Sequence, residues 1–96
     1  GEGETVWEYP VQATGLGIAL AEAREAPLHQ HTRTQEWYLA THDGGGVTVQ
    51  DRSYPLRRGD LLHLPPGRSH RAAGGARFFV LSSPPFSLDD YRLVEL

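Results

Sequence analysis

Short apolar segments rich in Val, Leu, Tyr, Trp and Phe recur along the chain and are separated by Gly, Pro, Asp and Ser. The interval between these breaks is about 8 to 12 residues, which is typical of an all-β sandwich or barrel and leaves little room for long helices. The predicted strands are residues 5–9, 16–21, 28–32, 36–41, 47–50, 53–56, 60–64, 69–73 and 77–82. Residues 18–26 are the one helical alternative, but Pro27 ends that short segment and we predict strand there.

Turn-forming residues lie between several of the predicted strands. The turns are predicted at residues 43–46, 51–52, 58–59 and 74–75. The glycines at the first and last of these sites supply the positive φ angles that hairpin connections need, so sequential antiparallel pairs are predicted. Pro84 and Pro85 cannot continue a central strand, because proline donates no hydrogen bond to a sheet. Residues 89–94 are predicted to form an edge strand or a short helix.

Length and composition limit the possible architectures. With 96 residues and 39% hydrophobic content, the chain can bury one modest core, and we expect a single domain over residues 1–96. The formal charge of −3 gives no electrostatic basis for binding nucleic acid or an anionic membrane surface. The N-terminus lacks a secretory leader and no apolar run is long enough to span a membrane, so we predict a cytoplasmic protein. The absence of Lys and the abundance of Ala, Gly and Pro suggest a bacterial source.

Two histidines and a glutamate stand close together in the stretch LHQHTRTQEWYLA. His29 and His31 point to the same side of a strand, because alternate residues of a strand share a face. Glu36 follows at an odd offset, so a turn at residues 32–35 must intervene, and the predicted hairpin places Glu36 on the neighbouring strand. Tyr38 then shares the face of Glu36. With no Cys in the chain, a metal ion bound here would have imidazole and carboxylate ligands.

A second stretch, from Gly59 to His70, runs through a Pro-Pro-Gly turn and ends in another histidine. The patterns H-x-H-x4-E at residues 29–36 and G-x5-P-x-G-x2-H at residues 59–70 together resemble the paired motifs of the cupin family, which extend over about 23–44 and 59–74. The resemblance implies a small cupin jelly-roll β-barrel of antiparallel strands. It also implies that a divalent metal ion is bound inside the barrel by four residues: His29, His31, Glu36 and His70.

Three imidazoles and one carboxylate suit Fe, Mn, Ni, Cu or Zn, and six-coordinate geometry leaves two positions open for water, substrate or dioxygen. The resemblance implies a metal-dependent enzyme acting on a small organic molecule, with dioxygenase chemistry ranked first. One alternative is a binding or sensor module without turnover, which the small size favours because little chain remains for a lid. Another alternative is a sugar isomerase or epimerase. The fold by itself does not choose among these reactions.

Further residues receive narrower predictions. Glu36 is a candidate base, and Tyr38 and His63 are candidates for positioning a substrate. His63 has two open placements, in the cavity or on the outer face, because one strand does not fix which side faces inward. His42 is expected to be solvated beside a turn, and the arginines are expected on the surface.

The aromatic residues and the two ends of the chain complete the predictions. Four aromatic residues are assigned to the core or to a dimer interface, namely Trp7, Trp37, Phe78 and Phe79. A small barrel gains from covering its edge strands, so a homodimer is predicted, with residues 5–9 contributing an edge. The tail at residues 84–91 is expected to pack along the outside of the barrel.

Overall fold

The structure is a computed structural model that describes residues 3–9, 15–85 and 87–94. The predicted all-β class is confirmed, because the regular structure of these residues consists of β-strands and one short 3-10 helix. The elements are β1 (Glu4–Tyr9), β2 (Gly17–Glu25), β3 (His29–His31), β4 (Gln35–Ala40), β5 (Gly46–Val49), β6 (Arg52–Pro55), β7 (Leu61–Leu64), β8 (His70–Ser83), η1 (Leu88–Asp90) and β9 (Tyr91–Leu93). No helix in the described segments is long and apolar enough to cross a membrane.

The strands form one antiparallel sheet that curls around its buried face. Its main path runs β1-β2-β8-β3-β9, and the pairs β4–β7 and β5–β6 join it through hydrogen bonds of β4 and β5 to β8. Strand β8 is therefore the centre of the fold, with β2 along most of its length, β5 beside its first residues and β4 beside its last. This arrangement brings the N-terminal end of β8 next to β3 and so places the two motifs side by side.

The turn predicted at Gly74 and Gly75 is wrong, since β8 continues through both residues. Both glycines have positive φ, 74° and 81°, and the register with β2 shifts between Ala23 and Glu25. The extra residue forms a β-bulge, which uses the same positive φ that a hairpin turn would use. A bulge bends the strand, and β8 passes here from pairing with β5 to pairing with β4.

The prediction of sequential hairpins is largely wrong. Within the described residues, consecutive strands pair only in β1–β2 and β5–β6. Strand β3 pairs with β8 and β9, whereas β4 pairs with β7 and β8, so Glu36 does not lie on a strand hydrogen-bonded to β3. The loop at residues 32–34 instead carries the chain to a different part of the sheet. Turn residues show that a strand ends, but they do not show which strand the chain joins next.

The predicted alternation along β4 is confirmed. Glu36, Tyr38 and Ala40 are buried at 5% or less exposure, whereas Leu39 is 37% exposed. The strand prediction at residues 18–26 is also confirmed by β2, where pairing with β1 and β8 outweighs the helix propensity of Ala and Glu. Among the aromatic residues, Phe78 is in the core at 2% exposure, but Trp7 is 50% exposed and does not belong to it.

The C-terminal tail contains both predicted alternatives, a short helix followed by an edge strand. Strand β9 pairs with β3, from His29 opposite Leu93 to His31 opposite Tyr91. The tail therefore completes the sheet next to the histidine pair, and the prediction that it packs outside the barrel is wrong for Pro85 and Tyr91, which line the cavity. Phe86, which that prediction included, lies outside the described residues.

Candidate metal centre

The structure brings the four predicted ligands together inside the curled sheet. His29 and His31 come from β3, Glu36 from β4 and His70 from the start of β8, and all four are buried at 7% exposure or less. One potential ligand atom from each residue lies within 4.8 Å of every other. His29 is also the direct strand partner of His70, so β-sheet register holds two of the rings side by side. These four residues could hold a metal ion.

Backbone carbonyl groups fix the orientation of two of the rings. His29 Nδ1 lies 2.9 Å from the carbonyl oxygen of Pro27, and His70 Nδ1 lies 3.1 Å from that of Arg68. A carbonyl oxygen only accepts hydrogen bonds, so each Nδ1 carries the proton and donates it. In a neutral ring this leaves a lone pair on Nε2. The same outer hydrogen bond orients metal-binding histidines in many proteins.

The Glu36 carboxylate faces two of the imidazoles. Its Oε1 lies 3.2 Å from His70 Nε2 and 3.3 Å from His31 Nε2. Glu36 Oε1 and His70 Nε2 are fully buried, yet neither makes a hydrogen bond of regular geometry. Both atoms are acceptors when His70 is neutral, and a buried polar atom without a partner is costly by about 1–3 kcal/mol. A cation between them removes that cost, so the donor set fits a metal ion.

The electrostatics of the cluster also suit a metal ion. Burial raises the pKa of the Glu36 carboxyl, but the neighbouring imidazoles of His31 and His70 outweigh it and hold the pKa at about 2. Burial, with a smaller effect of His70, lowers the pKa of His29 to about 4. At neutral pH Glu36 is therefore ionised and His29 is neutral. A metal ion requires these protonation states of a carboxylate and an imidazole ligand.

A cavity of about 490 Å³ adjoins the cluster, within the usual size range for small-molecule sites. His29, His31 and Glu36 form part of its wall. The other polar residues that line it are Glu4, Glu8, Tyr9, Tyr38, Ser82 and Tyr91. Much of the remaining wall is apolar and comes from β1, β2 and β8. A small molecule in this cavity would be in contact with the ligand cluster.

Tyr38 lines this cavity on the same side as Glu36, in agreement with the predicted parity. Its ring stacks on Phe78 with a centroid distance of 4.2 Å and lies 6.0 Å from the His70 ring. Burial raises the pKa of the Tyr38 hydroxyl well above 10. The group therefore stays protonated and acts as a hydrogen-bond donor or acceptor rather than as a base.

His63 does not line the cavity: of its two open placements the structure shows the outer face, so it is not positioned to hold a substrate in the cavity. It is exposed on the outer face of β7, where it stacks on Trp37 at a centroid distance of 5.1 Å. Its Nε2 lies 2.9 Å from Gln35 Oε1. His63 faces outward because its partner in register on β4 is Trp37, whose side chain also lies on the outer face. His42 is exposed beside its turn, as predicted.

Sequence reasoning missed the part that Tyr91 plays at the site. Its ring stacks on His29 at a centroid distance of 4.9 Å and an interplanar angle of 24°, and it lines the cavity. Glu4, which also lines the cavity, was likewise overlooked, and burial raises the pKa of its carboxyl. No local motif marks either residue, because pairing of β1 with β2 and of β9 with β3 brings them to the cavity.

Asp90 is a second residue that sequence reasoning overlooked. It is 1% exposed, and its carboxylate accepts hydrogen bonds from the backbone N–H groups of Thr32, Arg33 and Thr34 and from the Thr32 hydroxyl. These bonds hold the pKa of the Asp90 carboxyl well below its usual range, and the bond from the Thr32 hydroxyl has the largest effect. Asp90 therefore fixes the loop that links His31 to Glu36.

Comparison with known proteins finds distant sequence relatives, and no protein-family model matches the chain. An uncharacterized protein of Methanocaldococcus jannaschii is 28% identical over 90 residues, which cover 84% of this chain and 72% of that protein. The 4-deoxy-L-threo-5-hexosulose-uronate ketol-isomerase of Cereibacter sphaeroides is 40% identical over 53 residues, which cover 54% of this chain. The match covers only 19% of the length of the isomerase.

Solved structures show the fold more clearly. A variant of Streptomyces Pac13, a nucleoside dehydratase, was solved with uridine and matches all of this chain and 82% of its own, with a TM-score of 0.89 and 16% identity. KdgF from Halomonas matches 93% of this chain and 84% of its own, with a TM-score of 0.76 and 18% identity. A sugar phosphate isomerase of the cupin superfamily from Silicibacter pomeroyi matches 85% of this chain and 60% of its own, with a TM-score of 0.70 and 16% identity. The chain therefore has the cupin fold, as its motifs predict.

Proposed function

We propose that this cupin barrel holds one divalent transition-metal ion through His29, His31, Glu36 and His70 and catalyses a reaction of a small organic molecule in the adjoining cavity. The observation that supports this proposal most strongly is the buried pair of Glu36 Oε1 and His70 Nε2, which lie 3.2 Å apart. The cluster that contains them borders a cavity of about 490 Å³. When His70 is neutral both atoms are acceptors, so a cation between them would satisfy both, and the cavity gives a substrate access to the cluster.

The donor set suits Fe, Mn, Ni, Cu or Zn. When bound, such an ion would polarise a substrate oxygen as a Lewis acid, and four protein donors leave two of six coordination positions for substrate or water. The chain supplies the rest of the site. Tyr38 presents a protonated hydroxyl that can hydrogen-bond to a substrate oxygen. Glu4 presents a carboxyl group that is not one of the four ligands, so it is better suited than Glu36 to exchange a proton with the substrate.

For the reaction, we favour isomerisation or dehydration of a hydroxylated molecule over dioxygenation. Both favoured reactions can begin with removal of a proton from the carbon next to a carbonyl group whose oxygen is polarised, and both need an acid–base group beside a Lewis acid. Pac13 is a nucleoside dehydratase, and two of the other similar proteins are sugar isomerases. Dioxygenase chemistry remains the second candidate, because three imidazoles and one carboxylate with two open positions also suit a redox-active iron centre.

The test begins with elemental analysis of protein purified without chelator. The metal-loaded protein is then incubated with panels of nucleosides and sugars and their oxidised forms, with mass spectrometry of the products and an oxygen electrode. Loss of one water indicates dehydration, a new isomer of unchanged mass indicates isomerisation, and oxygen uptake that depends on substrate indicates a dioxygenase. A ligand that raises the melting temperature without being converted would contradict an enzyme and support a binding module.

We also propose that the protein is a homodimer in which β1 contributes an edge. Strand β1 ends the main path of the sheet and pairs only with β2 among the described strands. Val6, Trp7 and Tyr9 on this strand are 46%, 50% and 46% exposed, which is high for apolar side chains of this size. Size-exclusion chromatography with light scattering at micromolar concentration is expected to give the mass of a dimer, and the mass of a monomer would contradict the proposal.

A further inference from the structure

The cavity beside the ligand cluster is lined by carboxyl groups and by two of the ligand histidines. Glu4, Glu8 and Glu36 contribute to its wall, and no Arg side chain lines it among the residues that the structure describes. The chain contains no Lys, and none of its nine arginines falls outside the described segments. The undescribed positions therefore have no Lys or Arg side chain to add to the cavity.

All nine arginines are exposed: Arg24, Arg33, Arg52, Arg57, Arg58, Arg68, Arg71, Arg77 and Arg92. Strand alternation explains the placement of several of them. Arg77 precedes the buried Phe78 on β8 and forms an ion pair with Glu22 at 3.2 Å outside the cavity. Arg92 follows Tyr91 on β9 and therefore points away from the cavity that Tyr91 lines.

The wall keeps its carboxyl groups after a metal ion binds. A divalent ion supplies two positive charges against three carboxyl groups and adds no cationic side chain that could pair with an anion placed away from the metal. Phosphate and carboxylate groups of ligands are recognised in proteins by Arg, by Lys or by the N-termini of helices. The cavity has no Arg or Lys in its wall, and the only helix among the described residues is the three-residue η1. An anionic group placed away from the metal would lose its hydration without gaining a cationic partner among the described residues.

We propose that the cavity selects neutral polyhydroxylated or cationic small molecules and rejects those with an anionic group beyond the one that binds the metal. This inference rests on the proposed function, because it concerns the ligand that meets the metal ion. It names the substrate class more narrowly, since nucleosides and neutral sugars fit, while sugar phosphates and uronates do not fit when a hydroxyl or carbonyl oxygen is the group that meets the metal. The selectivity would separate this chain from similar proteins whose names specify a sugar phosphate or a hexosulose uronate.

The proposed selectivity against anionic ligands can be tested without knowledge of the substrate. Three chelators that share one metal-binding group and differ in the charge at the other end serve as probes. Acetohydroxamate is neutral at its distal end, succinic monohydroxamate carries a distal carboxylate, and β-alanine hydroxamate carries a distal ammonium group. Cobalt(II) is first titrated into the metal-free protein by calorimetry, which tests the proposed metal site separately. Binding of each chelator to the cobalt-loaded protein is then followed by the visible absorption of the metal.

We expect the neutral and cationic chelators to bind roughly tenfold more tightly than the carboxylate chelator. The double variant Glu4→Gln and Glu8→Gln should narrow that ratio to about twofold, because it removes the repelling charges. Glu25→Gln is the matched control, since Glu25 is an exposed carboxylate on β2 that does not line the cavity, and it should leave the ratio unchanged.

Equal or tighter binding of the carboxylate chelator by the wild type would contradict the proposed selectivity against anionic ligands but would not affect the proposed metal site. A ratio that the double variant does not change would contradict that selectivity as well, since the discrimination would then have another origin. Failure of cobalt(II) to bind in the calorimetric titration would refute the proposed function and this inference with it.

Discussion

His63 and His70 belong to the same motif, yet the fold gives them opposite environments. His63 lies on the outer face, where its ring stacks on Trp37 and its Nε2 contacts Gln35. His70 lies on the inner face at 2% exposure, with Nδ1 bound to the Arg68 carbonyl and Nε2 directed at Glu36. Both are histidines on strands with an aromatic neighbour and a polar partner, so residue type alone does not distinguish them.

What distinguishes them is which face of the sheet they occupy and what their hydrogen bonds leave free. At His70 a backbone carbonyl takes the proton of Nδ1, and Nε2 is left as a buried lone pair beside a carboxylate. At His63 the Nε2 atom is already engaged by a side-chain amide in contact with solvent. The inner face is therefore organised for a cation and the outer face is not, and the first three predictions below each compare a buried residue with an exposed one.

The largest expected effect is on metal affinity. His70→Ala should weaken cobalt(II) or manganese(II) binding by roughly a hundredfold or more, because loss of an outer partner of a ligand alone typically causes a 10- to 100-fold loss. His63→Ala should change the affinity by less than about twofold. Calorimetric titration of both variants measures the difference. Equal losses in the two would show that the comparison between the faces is wrong, and circular dichroism of each variant checks that it is folded.

The next effect is the pH dependence of stability in the metal-free protein. The pKa of His29 is about 4 in the folded state against 6.5 unfolded, so the unfolded state binds a proton that the folded state does not. Stability is therefore fully present above pH 6.5 and falls as the pH decreases toward 4. Because one pKa unit corresponds to about 1.4 kcal/mol, the loss is roughly 3 kcal/mol. The pKa of Glu36, about 2 against 4.5, adds a further loss below pH 4.5.

Urea denaturation at a series of pH values measures this slope. His29→Asn should flatten it between pH 6.5 and 4, whereas the same change at the exposed His42 should leave it as in the wild type. A slope that persists in His29→Asn would assign the pH dependence to another group.

A smaller effect is expected for the neighbouring residues Asp90 and Asp89, of which the first is buried and the second exposed. Asp90 is buried and accepts hydrogen bonds from three backbone N–H groups of the loop between His31 and Glu36. Asp89 is exposed and meets Arg33 at 3.5 Å. Asp90→Ala should lower the melting temperature by several degrees and weaken metal binding about tenfold, since it supports two ligands indirectly. Asp89→Ala should do neither, and comparable effects of the two variants would contradict the assigned role of Asp90.

The smallest effect concerns the ring beside His29. Tyr91→Ala removes a stacked aromatic pair, which is worth about 0.5–1.5 kcal/mol, and should reduce metal affinity by a few fold because His29 is less well held. Tyr91→Phe keeps the ring and should bind metal like the wild type. If Tyr91→Phe were as weak as Tyr91→Ala, the hydroxyl rather than the stacking would be what matters.

The fold class and the ligand cluster were predicted from different features of the sequence. Strand positions followed from the interval between breaking residues and from alternation, as at Glu36 and Tyr38, because these are local properties. The four residues of the cluster were chosen through their resemblance to the cupin motifs. Their proximity in space depends on β8, which pairs with β3 at His70 and with β4 farther along.

The errors have a common physical origin in long-range pairing. Gly74 and Gly75 supply positive φ for a bulge as readily as for a turn, and only the partner strand decides between them. The inward parity of β7 depends on its register with β4, so the placement of His63 was open. Tyr91 and Glu4 reach the site through β9 and β1, which are far from the motifs in sequence. No local pattern in the sequence carries this information.

The most direct test of the metal site is X-ray absorption spectroscopy of protein loaded with one equivalent of cobalt(II), for the wild type and for His70→Ala. We predict a shell of nitrogen and oxygen ligands whose outer scattering requires three imidazoles in the wild type and two in the variant. A wild-type spectrum without imidazole scattering, or one that His70→Ala leaves unchanged, would contradict the assignment of this cluster as the metal site.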